Sequence, residues 1–287
     1  MKKTKIKADK FFNQKNQIKK YNEIYDGLNF EREYPANKKR LEIFIDLLKI
    51  IKPKKILDAG CGNGMPMVSI LDNGFNCIGF DNAPNMVDEA KKNLIKNGYN
   101  SNLVCEGNFE SFKSSYLFDC ILGMGAFYYS EKPSKTIEQM TSNLVKGGHL
   151  IFSLRNKLFD LVTLNNYTNN LLKELFSTNE SKILDKEFNR IIDQNNIEVD
   201  YKKKNTIDSN NVLSTVHNPL TVQKDLLDKN NLKLQNLYFY HYHAYPPKIE
   251  HYSPREFNEA SWKIEDPLNW KGYFLASGFI VDAIKIS

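Results

Sequence analysis

Three closely spaced glycines after a short apolar stretch constrain this chain more than any other feature. The segment reads Ile56-Leu57-Asp58-Ala59-Gly60-Cys61-Gly62-Asn63-Gly64. Its apolar start predicts a buried strand, and glycines, which lack a Cβ, let the backbone turn sharply and approach a ligand. A helix that begins after such a turn points free N–H groups and the positive end of its dipole at the ligand. The segment therefore predicts a small-molecule site beside the Asp58 carboxylate.

The spacing of the glycines distinguishes between two kinds of nucleotide site. A dinucleotide site needs G-x-G-x-x-G. Here the pattern is D-x-G-x-G-x-G, and Met65 stands where the other pattern needs its last glycine. The spacing resembles motif I of the class I S-adenosylmethionine-dependent methyltransferases, although an ordinary glycine-rich turn is the alternative. The resemblance implies S-adenosylmethionine as cofactor and S-adenosylhomocysteine as product. It implies that the cofactor is bound by Asp58, Gly60, Cys61, Gly62 and Asn63.

A second carboxylate follows the next predicted strand. Cys77-Ile78-Gly79-Phe80 ends in Asp81-Asn82, and an acidic residue about 20 positions after a glycine turn suits a ribose-binding half-fold. Asp81 can accept hydrogen bonds from both ribose hydroxyls. The alternative is that Asp81 only caps the helix that begins near Pro84. The predicted cofactor set continues here with Asp81, Asn82 and Met86.

Two later strand ends extend the resemblance. The third strand leads into Asn108-Phe109, where the family commonly has an aspartate that accepts a hydrogen bond from the adenine amino group. The Asn108 carbonyl oxygen can still accept that bond, and Phe109 is the expected neighbour of the adenine ring. Phe118–Gly123 predicts a fourth strand that ends at Met124, where the family places the cofactor sulfur. Gly147-Gly148 resembles the family's turn into the fifth strand, predicted at Leu150–Leu154.

The resemblance covers residues 41–156 well and implies the fold class. This is an α/β, Rossmann-like seven-stranded methyltransferase sheet with a helical insertion after strand 5. The last strand, predicted over Phe279–Ile286, runs antiparallel between the fifth and sixth strands. Four regions are predicted: an N-terminal helical lid (1–40), the cofactor-binding core (41–156), an inserted acceptor-covering subdomain (157–219), and the rest of the core (220–287) with a second insertion (248–271). Tyr21, Tyr25 and Tyr34 are candidate lid residues.

Composition limits the kinds of molecule that the protein is expected to bind. The net charge is +6, but the lysines are dispersed and arginines are few, so no stable nucleic-acid partner is expected, whereas an anionic substrate fits. No stretch approaches about 20 apolar residues and no signal-peptide core follows the N-terminus, so we expect no membrane insertion and a cytoplasmic location. The four cysteines form no C-x-x-C pair. We therefore expect no metal and no disulfide, and four buried thiols.

A tyrosine- and histidine-rich segment suggests the catalytic base. It runs from Tyr238 to Tyr245 within a long predicted strand, and period-2 geometry predicts His241 and His243 on one face and Tyr238, Tyr240 and Tyr242 on the other. A histidine that is neutral near pH 7 can take the proton of an attacking hydroxyl, so His243 or His241 is the predicted catalytic residue. Two alternatives remain open: a metal site, which lacks a clear third ligand, and a purely structural aromatic strand.

The acceptor is predicted from polar residues at and after the fifth strand. The predicted substrate-binding residues are Tyr128, Arg155, Asn156, Asn165 and Tyr167. Together with the Tyr/His strand they look similar to sugar O-methyltransferases of bacterial surface-polysaccharide biosynthesis, such as those for capsule. The similarity implies transfer to a hydroxyl of a sugar or nucleotide-linked sugar. A quinone, lipid or other small-molecule acceptor, and RNA, are the alternatives. The oligomeric state does not follow from the sequence.

Overall fold

The computed structural model describes residues 7–14, 17, 21, 34–176, 181–194, 212 and 214–287. The strands are β1 Ile56–Ala59, β2 Cys77–Asp81, β3 Val104–Glu106, β4 Phe118–Gly123, β5 Leu144–Asn156, β6 Val216–His217, β7 Leu232–Tyr242 and β8 Ala276–Lys285. The α-helices are α1 Ala8–Phe12, α2 Ala36–Ile51, α3 Met65–Asp72, α4 Pro84–Lys96, α5 Pro133–Ser142, α6 Asn166–Phe176, α7 Lys182–Gln194, α8 Pro254–Lys263 and α9 Gly272–Leu275. A π-helix spans Gln223–Leu227, and 3-10 turns span Ser101–Leu103, Phe127–Tyr129, Leu158–Val162, Asp228–Asn230 and Pro247–Tyr252.

The strands form one mixed sheet with the order β3-β2-β1-β4-β5-β8-β7. Strands β1 to β5 are parallel, and β8 lies antiparallel between β5 and β7. This arrangement confirms the predicted Rossmann-like methyltransferase sheet, including the position of its antiparallel strand. The short β6, which pairs with the end of β5, is an addition that the sequence did not predict.

Both faces of the sheet are covered, which is why its central strands are apolar throughout. All four residues of β1 are buried, as expected for a parallel strand between two helical layers. One face packs against α2, α3 and α4 through residues such as Phe44, Met67 and Val87. The other face packs against α5 and the π-helix, with Phe152 and Phe279 in its core.

Prolines define where several helices begin. Pro66, Pro84, Pro133 and Pro254 lie in the first turns of α3, α4, α5 and α8. Proline suits this position because the first N–H groups of a helix have no intrahelical partner. The helix starts after β1 and β2 therefore lie beside the carboxyl ends of those strands, where a ligand site of this fold is expected.

Strand β5 is longer and less regular than predicted. It begins at Leu144 instead of Leu150, and the Gly147-Gly148 turn lies inside it. Phe118 pairs with Leu144 but Cys120 pairs with His149, so residues 145–148 form a bulge. Gly147 has a φ of 78°, which allows the backbone to loop out there.

Tyr242 does not share a face with Tyr240 as predicted, although the rings of His241 and His243 lie together, with centroids 4.6 Å apart. His241 has a φ of 62°, and the strand ends at Tyr242 rather than Tyr245. A left-handed residue breaks the alternation of side chains along a strand. Tyr240 consequently packs on the core beside Phe44, whereas Tyr242 packs on the opposite core with Phe239.

The first insertion is helical, as predicted, whereas the second contains a helix that the sequence did not predict. Residues 157–219 contribute α6, α7 and β6, and residues 248–271 contribute α8. The proposed boundary between lid and core at residue 40 falls inside α2. One cysteine differs from expectation, because Cys105 on the edge strand β3 is exposed while Cys61, Cys77 and Cys120 are buried. Within the described ranges, no helix combines the length and apolar character that crossing a bilayer requires.

Candidate active site

A cavity of about 370 Å³ lies at the carboxyl ends of β1, β2 and β4. It is bounded by the glycine turn after β1, the start of α4 and the loop after β4. The structure brings every residue of the predicted cofactor set to this one cavity: Asp58, Gly60, Cys61, Gly62, Asn63, Asp81, Asn82, Met86, Asn108, Phe109 and Met124. These residues come from four separate stretches of the chain: 58–63, 81–86, 108–109 and 124.

The glycine turn has no room for side chains at two positions. Gly60 and Gly64 have φ angles of 81° and 75°. A Cβ on Gly60 would lie 2.6 Å from the Cβ of Ala126, and one on Gly64 would lie 2.9 Å from that of Ala90. Any other residue would be strained by its backbone conformation and would collide with its neighbour. The turn can therefore hold its backbone against the cavity only with glycine at both positions.

Asp58 is a buried carboxylate at the cavity wall. Its side chain is 1% exposed, and neither oxygen has a hydrogen-bond partner among the described residues. Burial, followed by the nearby Asp81, raises the pKa of Asp58 to about 7, although the Arg40 guanidinium opposes the shift. Leaving such a group unsatisfied is costly. A cationic or hydrogen-bond-donating ligand group at this wall would satisfy both oxygens.

Asp81 has a different environment. One of its oxygens accepts a hydrogen bond from the backbone N–H of Gly62 and the other from that of Ala83, both at 2.9 Å. Burial raises the pKa of this carboxyl, and these backbone bonds oppose the shift. Each oxygen keeps further lone pairs that can accept. Asp81 therefore links the glycine turn to the end of β2. Its two oxygens can still accept hydrogen bonds from two adjacent hydroxyl groups of a ligand.

Asn108 and Phe109 form the opposite wall. The Asn108 side-chain oxygen accepts a hydrogen bond from the backbone N–H of Glu110 at 2.8 Å, which shapes the turn after β3. Phe109 packs edge-on against Phe80 and Phe127, with ring centroids 5.8 and 5.4 Å away. These contacts hold the Phe109 ring as a fixed apolar surface beside the cavity.

The predicted substrate-binding residues divide into two groups. Tyr128 lines the cavity. Arg155 stands next to it, with its guanidinium carbon 5.2 Å from the centre of the Tyr128 ring and 5.8 Å from that of Tyr129. Arg155 itself does not line the cavity, and neither do the other three residues.

Asn156, Asn165 and Tyr167 lie outside the cavity lining, and the first two form hydrogen bonds within the fold. The Asn156 amide donates to the carbonyls of Gly272, Tyr273 and Ala276, and its oxygen accepts from the Leu158 N–H. This side chain therefore has little capacity left for an acceptor. The Asn165 oxygen accepts from the Tyr167 N–H at the start of α6. The Tyr167 side chain is 59% exposed.

The predicted bases, His241 and His243, do not line the cavity either. His241 stacks on Tyr34 with ring centroids 4.9 Å apart, and its Nδ1 lies 2.8 Å from the Ser277 hydroxyl. Burial, followed by the charge of Arg40, lowers the pKa of His241 to about 4. Burial also lowers the pKa of His243 well below its ordinary value. The positions and pKa values of the two imidazoles do not favour the base role, which stays a prediction.

Part of the cavity wall was not predicted from the sequence. The additional polar or aromatic residues at the cavity include Phe12, Asn37, Arg40, Tyr129, Ser130 and Lys132. Asn37 and Arg40 lie one helical turn apart at the start of α2, a spacing that could have placed them on one face. Tyr21, a candidate lid residue, lines the cavity, whereas Tyr34 does not. Tyr25 lies outside the described residues.

Comparison with known proteins agrees with this geometry. A family profile described as "Methyltransferase domain" matches residues 51–219. A tRNA U34 carboxymethyltransferase from Glaesserella parasuis is 32% identical over 36% of this chain and 33% of its own length. A ubiquinone biosynthesis O-methyltransferase from Coxiella burnetii is 28% identical over 40% of this chain and 50% of its own length. The chain thus spans between a third and a half of these relatives.

A solved structure supports the fold over nearly the whole chain. Magnesium protoporphyrin IX methyltransferase from Synechocystis PCC 6803, with bound S-adenosylhomocysteine, superimposes with a TM-score of 0.57. The superposition covers 97% of this chain and 98% of that protein at 15% sequence identity. Because the family profile covers more than half of the chain, from the end of α2 through β6, the protein belongs to the methyltransferase-domain family.

Proposed function

We propose that this methyltransferase transfers the methyl group of S-adenosylmethionine to a hydroxyl of a sugar or nucleotide-linked sugar, for use in a capsular or other surface polysaccharide. S-adenosylmethionine is the cofactor of the family. The observation that carries the proposal is the composition of the cavity. We call the part of the cavity lined by Asp58, which is buried, and Asp81, which is half-buried, its carboxylate end. We call the part lined by Asn37, Arg40 and Tyr128, which carry hydrogen-bonding groups, its polar end. The two parts adjoin, since the charge of Arg40 acts on Asp58.

The carboxylate end fits the cofactor. The unsatisfied Asp58 oxygens would pair with the methionine ammonium group, and the two Asp81 oxygens would accept from the ribose hydroxyls. Phe109 would pack on the adenine, with Asn108 accepting from its amino group. The sulfonium supplies an activated methyl group, so the protein has little covalent chemistry of its own to perform.

The polar end would align the acceptor. Holding the acceptor oxygen in line with the methyl group converts a bimolecular reaction into a unimolecular one. Amide, guanidinium and phenol groups at this end can fix a hydroxyl-rich molecule by hydrogen bonds, and Phe12 and Tyr21 from the N-terminal segment help to exclude water. His243 or His241 is the proposed base, which would require a rearrangement that brings an imidazole to the cavity wall.

Methyl transfer to a panel of sugars and sugar nucleotides tests the proposal. Purified protein and radiolabelled S-adenosylmethionine should label at least one hydroxylated acceptor. Asp81→Ala should abolish labelling, and the matched surface variant Asp72→Ala should not. Asp72 accepts a hydrogen bond from Tyr99 far from the cavity. Binding of S-adenosylmethionine without labelling of any sugar would contradict the sugar acceptor while leaving the methyltransferase assignment intact.

Two other acceptor classes have a specific observation in their favour. The tRNA-modifying relative favours RNA, which predicts salt-sensitive RNA binding. The ubiquinone-biosynthesis relative favours a small apolar acceptor, which would need an apolar wall where Asn37, Arg40 and Lys132 lie. Filter binding of bulk tRNA at two salt concentrations, and labelling of a phenolic quinone precursor, separate these classes from the sugar.

A further inference from the structure

Two arginines from distant parts of the chain, Arg40 and Arg155, each lie against a tyrosine ring. Arg40 lies on α2 and its guanidinium carbon is 5.9 Å from the centre of the Tyr240 ring. Arg155 lies near the end of β5, and its guanidinium carbon is 5.2 Å from the centre of the Tyr128 ring. Burial raises the pKa of Tyr128, and the charges of both Arg40 and Arg155 oppose that shift. Arg40 and Tyr128 both line the cavity, whereas Arg155 does not line it but lies against Tyr128 and Tyr129, which do.

Arg40 brings positive charge to the cavity wall itself. It is only 7% exposed and lines the cavity. Its guanidinium donates a hydrogen bond to the Asn37 side-chain oxygen at 2.8 Å. A Cβ on Gly125 would lie 2.7 Å from the guanidinium nitrogens, so the group rests against the backbone of the loop after β4. These contacts fix the orientation of the Arg40 guanidinium.

Arg155 is held by aromatic rings rather than by a carboxylate. Its guanidinium carbon lies 5.2 and 5.8 Å from the centres of the Tyr128 and Tyr129 rings. No carboxylate of the described residues forms an ion pair with it. A guanidinium against an aromatic ring keeps donors for a planar anion, and a charge in this partly buried setting is stabilised by an opposite charge.

We propose that Arg155 and Arg40 bind an anionic group on the acceptor, either a carboxylate or a phosphate. The proposal rests on the proposed function and specifies its substrate class. The acceptor would be a uronic acid or a phosphorylated or nucleotide-linked sugar rather than a neutral sugar. Tyr128 and Tyr129 would form the wall between the anion and the reacting hydroxyl. Lys132 also lines the cavity, together with Glu110 and Glu131.

Matched pairs of acceptors test this on the unaltered protein. Glucuronate against methyl glucoside tests a carboxylate, and glucose 1-phosphate and UDP-glucose against methyl glucoside test a phosphate. We expect kcat/KM for the preferred anionic acceptor to exceed that for its neutral partner by roughly 10- to 100-fold, the range for charge-assisted hydrogen bonds. The arm that shows the preference identifies the anion. An equal or higher kcat/KM for the neutral sugar would overturn the proposal but not the sugar acceptor.

Variants assign the effect to the two arginines. Arg155→Gln and Arg40→Gln should each remove most of the preference, measured as the ratio of kcat/KM for the anionic acceptor to that for the neutral one, so that any general effect on turnover cancels. Arg255→Gln is the matched control, because Arg255 is 67% exposed and forms a surface ion pair with Glu259. An unchanged ratio of charged to neutral kcat/KM in both arginine variants would also overturn the proposal.

A binding measurement keeps the proposal testable if no sugar in the panel is methylated. With S-adenosylhomocysteine present, the wild-type protein should bind UDP or glucuronate in calorimetry, and Arg155→Gln should bind it roughly tenfold more weakly or not at all. Retained S-adenosylhomocysteine binding and an unchanged melting temperature show that the variant is folded. Absence of binding of either anion by the wild-type protein would overturn the anionic acceptor. Absence of methylation alone would contradict only the proposed function.

Discussion

Glu265 Oε1 accepts a hydrogen bond from the backbone N–H of His241 at 2.9 Å, and its other oxygen accepts from the next N–H at 3.0 Å. The Tyr34 hydroxyl donates to the same carboxylate. Glu265, from the second insertion, thus supports His241, the left-handed residue next to the end of β7. It also holds Tyr34, in the segment before α2.

Removal of this carboxylate should destabilise the protein. Glu265→Ala leaves two backbone N–H groups and the Tyr34 hydroxyl without an acceptor, so we expect a loss of about 2–4 kcal/mol in the free energy of unfolding. Urea denaturation measures it. Glu259→Ala, which removes only a surface ion pair with Arg255, should change stability by less than about 0.5 kcal/mol. Similar losses in the two variants would show that Glu265 does not support the strand end.

The buried Asp58 should make stability depend on pH. Its pKa is raised from an ordinary value of 3.8 to about 7, so between these values the folded protein binds more protons than the unfolded chain. The free energy of unfolding therefore falls as pH rises from about 4 to about 7 and stays low above that, by a total on the order of 4 kcal/mol.

Asp58→Asn tests this dependence because the amide does not titrate. Relative to wild type, the variant should be most stabilised above pH 7 and least below pH 5, and it should bind S-adenosylmethionine much more weakly. Thermal unfolding at pH 5 and pH 8 gives the comparison. A difference in stability that is the same at both pH values would contradict the raised pKa.

Binding of S-adenosylhomocysteine should release protons near pH 7. About half of the Asp58 side chains are protonated at this pH, and a cation beside the carboxylate favours its charged form. We expect release of up to about half a proton per bound molecule at pH 7 and much less at pH 8.5. Calorimetry in two buffers with different ionisation enthalpies measures it. Equal release at both pH values would point to a different group.

Gly60→Ala should weaken cofactor binding through both backbone strain and contact. The new methyl group would collide with Ala126 and Phe109 at the cavity, so we expect at least a tenfold loss of S-adenosylhomocysteine affinity. Gly74→Ala is the matched control, since its φ of 83° imposes the same strain but its Cβ would enter open space. That variant should lose about 1–2 kcal/mol of stability and keep its affinity.

The pH dependence of turnover tests the proposed base. A histidine base would make turnover fall about 10²–10⁴-fold on substitution and would remove the acid limb of the pH profile. Although neither imidazole lines the cavity, we expect His243→Ala or His241→Ala to show this loss and this change of profile. A loss of less than tenfold with an unchanged profile in both variants would contradict the base role.

The cofactor side of the cavity followed from the sequence because it depends on local patterns. Each residue type at a strand end, such as Asp58 or Asp81, sits beside a turn signal that the sequence displays directly. Parallel strands then bring their carboxyl ends to one edge. The turn at Asn108 is also local, because the Asn108 side chain itself accepts the hydrogen bond that shapes it.

The acceptor side of the cavity could not be predicted from the sequence, because it depends on contacts between distant segments. The positive φ of His241 is supported by Glu265, which is 24 positions away. Arg40 faces the cavity because α2 packs beside β7. Asn156 was predicted as a ligand residue because it follows a strand, but the carbonyls around α9 occupy its amide. Periodicity cannot reveal partners that arrive from elsewhere in the fold.

The position of β8 has a consequence for the order of folding. Strand β7 joins the sheet through β8, with Tyr240 opposite Gly278, and β8 in turn pairs with β5. Contacts between β5 and β8 join residues as far apart as His149 and Ile284, and such distant pairings form slowly. The half of the sheet that carries the cofactor motifs can thus assemble from contiguous chain, whereas β7, with Tyr240 and His241, joins only after β8 inserts. A nascent chain would then form its cofactor site before the Tyr240 ring packs against Arg40.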